Sequence, residues 1–134
     1  MSMTINTFLT EWKNKSVEDR KQYAIEIWYD WFCTDASLYT RTLKFIPVLK
    51  SLVKRNPAIG EMEVSGQNCC PLSGPTYDVM RIFYNDKFKG AMIFDSCHED
   101  HRFTIMPIAG EDFGTDDKHE AIDMLYKEIF QENA

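Results

Sequence analysis

The sequence predicts an α+β fold in which N-terminal helices and a C-terminal helix pack on a small antiparallel β-meander. Three observations carry this expectation. Apolar residues recur with helical period up to Asn56, the period becomes two between residues 61 and 108, and helical spacing returns after Thr115. Helices that segregate from strands suit a sheet with helices on one face, not the alternating order of a nucleotide-binding doubly wound sheet. A chain of 134 residues buries a core without staples and is too short for two ordinary domains. A single domain over 1–134 is therefore expected, with a helical part over 4–56, a sheet over 61–108 and a helix over 115–131.

The first well-marked helix starts at Ser16. Its hydroxyl can satisfy an orphan backbone N–H, and Asp19 sits at the positive end of the helix dipole. Ala24, Ile27, Trp28 and Trp31 then keep three- and four-residue spacing, Ile25 and Phe32 widen the stripe, and the helix is predicted to end near Cys33. Thr34 or Asp35 caps a second helix. Leu38, Phe45, Ile46, Leu49, Leu52 and Val53 hold its period until Asn56 and Pro57 stop it, and Pro47 predicts a kink or break midway.

Past Gly60, "EMEV" alternates and "SGQNCCPLSGP" reads as loop. "TYDVMRIFY" places Tyr77, Val79 and Phe83 on one side and Met80, Ile82 and Tyr84 on the other, the pattern of a central strand with both faces at least partly covered. "NDKFKG" is a turn, "AMIFD" a strand, "SCHEDH" a connection, and "RFTIMP" a strand ended by Pro107. Connections this short make the strands antiparallel. Thr115, with Asp116 and Asp117 in the first turn, opens a helix whose Ile122, Leu125 and Ile129 form one stripe.

Composition narrows the function classes. The start of the chain lacks a basic stretch followed by an apolar one, and no apolar run approaches the roughly 18 residues of a bilayer span. A cytoplasmic protein with no membrane partner is expected, and Cys33, Cys69, Cys70 and Cys97 are then reduced thiols. Net charge is −6, but it is unevenly spread. From Ala36 to Gly60 there are five basic residues, Arg41, Lys44, Lys50, Lys54 and Arg55, and no acid; from Glu111 to Ala134 there are eight acids against Lys118 and Lys127. An acidic chain disfavours direct nucleic-acid binding, for which only the 41–55 segment supplies cations.

Two constellations offer chemistry. "DSCHEDH" puts Cys97, His98 and His101 within five positions, and Cys69 or Cys70 would have to supply a fourth ligand. Structural zinc sites present spaced ligand pairs, whereas Cys69 and Cys70 are vicinal, so the stretch is read as a polar connection without metal and no cofactor is expected. A thiol nucleophile, Cys69 or Cys70 with His98 or His119, lacks any feature that positions it. The aromatic run "WYDWF" exceeds what one helix stripe can bury, so Tyr29 is expected at the surface as part of a protein-binding patch.

"EIWYDWFCTDASL" and "NCCPLSGPTYDVMRI" resemble segments of small uncharacterised proteins of Gram-positive bacteria and their phages. The likeness spans two patches and carries no activity. It implies a small acidic inhibitor from a phage or mobile element that blocks a host protein surface, as anti-CRISPR proteins do. The expected function is thus non-catalytic binding of a protein partner, a cationic nucleic-acid-binding protein for preference, through Asp116, Asp117, Glu120, Asp123 and Tyr29. The alternatives are a small zinc- or thiol-dependent enzyme built on Cys70, Cys97, His98 and His101, a toxin-immunity protein, and a nucleic-acid binder using Arg41, Lys44, Lys50, Lys54 and Arg55.

Overall fold

The computed structural model describes residues 3–29, 35–69, 77–84, 90–95, 102–107 and 111–129. Strand β1 (Met3–Thr4) runs directly into helix α1 (Ile5–Asn14), which the Thr4 hydroxyl caps by accepting from the Thr7 N–H at 3.2 Å. Ile5, Phe8 and Trp12 lie three and four residues apart and are buried. Arg20 ties the next helix to this one: its Nε donates to the Trp12 carbonyl at 2.7 Å, satisfying a terminal acceptor of α1.

Helix α2 (Val17–Ile27) has the cap that the sequence predicts, with Ser16 Oγ accepting from the Asp19 N–H at 3.2 Å. It ends at Ile27, well short of Cys33. Trp28 leaves the helix and enters β2 (Trp28–Tyr29), which pairs in parallel with Gly66 and Gln67. Ile25, expected to widen the apolar stripe, is 42% exposed, while Tyr23, Ala24 and Ile27 are buried. Trp31 and Phe32 lie outside the described residues.

Helix α3 (Asp35–Arg55) runs unbroken through Pro47. Pro47 and Leu43, one turn before it, both lie on the solvent side, so the backbone acceptor that loses its partner is the one nearest water. Of the predicted stripe, Leu38, Phe45, Ile46, Leu49 and Leu52 are buried and Val53 is half-buried against them. Asn56 and Pro57 end the helix as expected, Asn56 Oδ1 accepting from the Ala58 N–H at 3.0 Å to cap a 3₁₀ turn over Pro57–Glu61.

The sheet comprises β3 (Glu63–Cys69), β4 (Tyr77–Phe83), β5 (Gly90–Asp95), β6 (Phe103–Pro107) and β7 (Phe113–Thr115), and helix α4 (Lys118–Ile129) follows. Strand order is β1-β3-β4-β5-β6-β7, antiparallel throughout, with β2 beside β1 on the edge of β3 that faces away from β4. The meander is therefore as predicted and β4 is central. "SGQNC", read as loop, is strand instead. Its glycine is there for packing: a Cβ on Gly66 would come within 2.7 Å of the Trp28 ring. Gly90 is required differently, since it has φ +155° and a Cβ there would stand 2.1 Å from the Ile82 carbonyl oxygen.

Register separates the two faces. Val64, Met80, Ile82, Ala91, Ile93, Phe103 and Ile105 share the face that joins the helices in one buried core. Across it, Trp28 donates its indole N–H to Thr42 Oγ1 at 2.7 Å, and that hydroxyl donates to the Leu38 carbonyl at 2.8 Å, so the buried polar atoms are paired. Ala121, Ile122, Leu125 and Ile129 of α4 pack over β5, β6 and β7.

Candidate functional site

The acidic C-terminal segment is partly consumed by the fold. Asp117, not Thr115, caps α4: its Oδ1 accepts from the His119 N–H at 2.9 Å, while Thr115, the last residue of β7, accepts from the Asp117 N–H at 3.1 Å. Asp116 Oδ1 accepts from the Arg102 N–H at 2.8 Å. The Arg102 side chain in turn reaches Asp95 Oδ1 at 3.4 Å and lies over the Phe103 ring, which fastens the start of β6 to the end of β5 and to the β7–α4 corner. Asp123 forms an ion pair with Arg55 at 2.5 Å, and Glu120 is exposed in the first turn. Three of the four predicted contact carboxylates thus have partners inside the chain.

The basic segment forms the outer side of α3. Lys44, Lys50 and Lys54 are exposed, Arg41 is half-buried, and Arg41 and Lys44 engage neighbouring groups. Arg55 bridges to α4 with its guanidinium 5.7 Å from the Tyr126 ring centre. The two segments of opposite charge, far apart in sequence, meet at Arg55 and Asp123. That pair is 34% and 65% exposed, so solvent screening holds its contribution below about 1 kcal/mol.

Tyr29 stands opposite Gln67 in β2, and its side chain lies outside the description. Cys70, Cys97, His98 and His101 lie outside the described residues. The strand ends that flank them, Cys69 and Asp95, leave the sheet at the same end. Among the described residues no group of three or more His, Cys, Asp or Glu could hold a metal ion, and no helix is long and apolar enough to cross a membrane.

A surface that none of these expectations named lies on the other face of the sheet. Ser65, Arg81, Met92 and Met106 stand opposite one another across four strands, in the register that points away from the helix-covered core. Val79 and Phe83 share this face and are only 3% and 7% exposed, yet neither belongs to that core. The exposed Arg81 lays its guanidinium 4.3 Å from the Phe83 ring centre. Arg81, Phe83, Met92 and Met106 of this face border a groove of about 450 Å³ together with Ile82, Ala91 and Pro107, which stand in the register of the core face; among the described residues its lining holds no carboxylate, and Glu63 stands opposite Phe83 on the same face. The signal for it was in the sequence: β4 carries apolar residues on both faces, and "AMIF" puts a second large apolar residue, Met92, on the side opposite Ala91 and Ile93.

Among known proteins, no family model, no curated protein and no solved structure matches this chain.

Proposed function

We propose that this protein is a non-catalytic binding protein that acts by occupying a surface of a host protein, as a small acidic inhibitor from a phage or mobile element, anti-CRISPR-like, would. The observation that carries the reading is the groove bordered by Arg81, Phe83, Met92 and Met106 on the face of the sheet that no described helix covers. Its chemistry is that of an interface core: methionine, arginine and an aromatic ring are enriched where proteins meet, and lysine and glutamate are depleted there. Methionine adapts its shape to a partner's surface, which suits an inhibitor that must fit a protein it did not evolve within. The exposed carboxylates Glu111, Asp112 and Glu120 lie on other elements, where they steer encounter with a cationic partner and give it salt dependence without supplying the anchor.

The test is capture of host protein from a Gram-positive lysate at two salt concentrations. A variant with Arg81→Glu and Met92→Glu should lose a partner that both the wild type and Glu120→Lys retain, the latter with altered salt dependence. Circular dichroism must show the same fold in all three. A partner that survives reversal of the open face, or a wild-type chain that retains none, overturns the proposal. Lys50→Glu with Lys54→Glu serves as the nucleic-acid control, since those exposed lysines carry the competing reading in which α3 meets phosphates.

A further inference from the structure

We infer that the groove receives a segment of the partner protein in which a carboxylate stands beside a large apolar side chain; this rests on the reading of the open face as the docking surface. The walls contributed by Ile82, Phe83, Ala91, Met92, Met106 and Pro107 are apolar, and among the described residues Arg81 is the single charged one on the lining. Stacking on Phe83 uses the flat side of the guanidinium, whereas a carboxylate is recognised by the in-plane N–H edge, so one arginine can do both. The stacked ring also holds the fork in place, which lowers the entropy lost when an anion binds.

Charge stoichiometry selects the anion. One guanidinium neutralises one carboxylate. A phosphate monoester carries roughly −1.5 to −2 at neutral pH, and its second charge would be left against apolar walls at a desolvation cost. Shape selects the source. A free small ligand binds well when a pocket buries about 70–90% of it, and a groove lying open along a sheet face cannot do so. A side-chain pair carried on a folded partner needs only local complementarity, because the surrounding interface contributes the rest of the binding. The apolar member lies over Met92 and Met106, which are paired side by side on β5 and β6, and the carboxylate then reaches Arg81, opposite Met92 on β4.

The experiment uses the full chain labelled with methyl-13C methionine, the Met92 and Met106 signals being assigned by Met92→Leu and Met106→Leu. Titration with N-acetyl-Phe-Glu-amide should shift both methyls, and the neutral isostere N-acetyl-Phe-Gln-amide should bind about tenfold more weakly, the size expected for one charge-assisted contact. In Arg81→Gln the two probes should become equivalent. Octanoate, the free-lipid probe, should shift these methyls less than the acidic dipeptide. Equal binding of the two peptides to the wild type, a charge preference that survives Arg81→Gln, stronger binding of octanoate, or no shift at all overturns the inference. Failure here is separable from failure of the docking surface. If Met92→Glu loses the captured host protein while Arg81→Gln keeps it, the face docks a partner and the carboxylate is wrong; if both keep it, the face itself is wrong.

Discussion

Trp28 and Gly66 form a pair whose energetics test how the helical half is fastened to the sheet. Trp28 is 3% exposed, tilts against Phe45 at 5.8 Å between ring centres, and lies over Gly66 so closely that a Cβ there would be 2.7 Å from its ring. Trp28→Ala should cost about 3 to 5 kcal/mol through the cavity it leaves, and loss of the bond to Thr42 adds about 1 kcal/mol. Thr42 still donates to the Leu38 carbonyl, so it is not stranded. Gly66→Ala in the wild type drives a methyl into the ring and should cost about 1 to 3 kcal/mol as overpacking. Once Trp28 is alanine the methyl meets open space, and the same change should be neutral or stabilising by about 0.4 to 1 kcal/mol because the unfolded chain loses freedom. The two substitutions should therefore couple by more than about 1 kcal/mol. Urea unfolding followed by far-UV circular dichroism measures all four corners of the cycle. Additivity within about 0.5 kcal/mol would show that the ring does not bear on Gly66 and would refute the close approach.

Gly90→Ala should destabilise by about 2 kcal/mol or more, since the new methyl meets the Ile82 carbonyl at a φ that side chains rarely adopt; a near-neutral urea midpoint would contradict that backbone geometry. Asp117→Ala should cost about 1 kcal/mol as a lost helix cap, against less than about 0.5 kcal/mol for the exposed Glu120→Ala; the reverse order in thermal melts would return the start of α4 to Thr115. Burial first, and then the Glu11 carboxylate, hold the Tyr23 phenol above the ordinary tyrosine range. Above about pH 10 the unfolded chain loses this proton while the folded chain keeps it, so stability should fall with rising pH. Tyr23→Phe should flatten that fall, and an unchanged slope between pH 9 and 11 would remove Tyr23 as its source.

What was legible in the sequence is what local chemistry decides. The Ser16 cap, the stop at Asn56 and Pro57, the stripe of α3 apart from half-buried Val53, and the meander all depend on neighbours a few residues apart, and each appears where expected. The end of α2 was not legible. "IWYDWF" keeps helical spacing, and what removes Trp28 from the helix is pairing with a strand nearly forty residues on. "SGQNC" is strand and not loop because it pairs along its length with β4, and its Gly66 serves the indole and not a turn. Pro47 failed to break α3 for a reason the one-dimensional pattern half contains: it sits on the exposed arc beside Leu43, where a missing backbone bond costs least.

The site shows the same division between pattern and partner. Opposite charge in residues 36–60 and 111–134 invited an external partner for each, yet Asp123 meets Arg55, Asp116 holds the Arg102 backbone and Asp117 closes a helix end. Charge segregation along a chain is therefore weak evidence for an outside ligand until the segments have been placed relative to each other, because a fold that brings them together satisfies the pattern internally. The apolar faces of β4 carry the opposite lesson. Two apolar faces predict a strand at least partly covered on both sides, and Val79 and Phe83 are buried as that requires, while every described helix packs on the other side of the sheet. Alternation reports which face is apolar and is silent about what lies over it. An apolar face that the described helices leave alone, with one arginine over the Phe83 ring, is the feature on which the proposal of a docking surface rests.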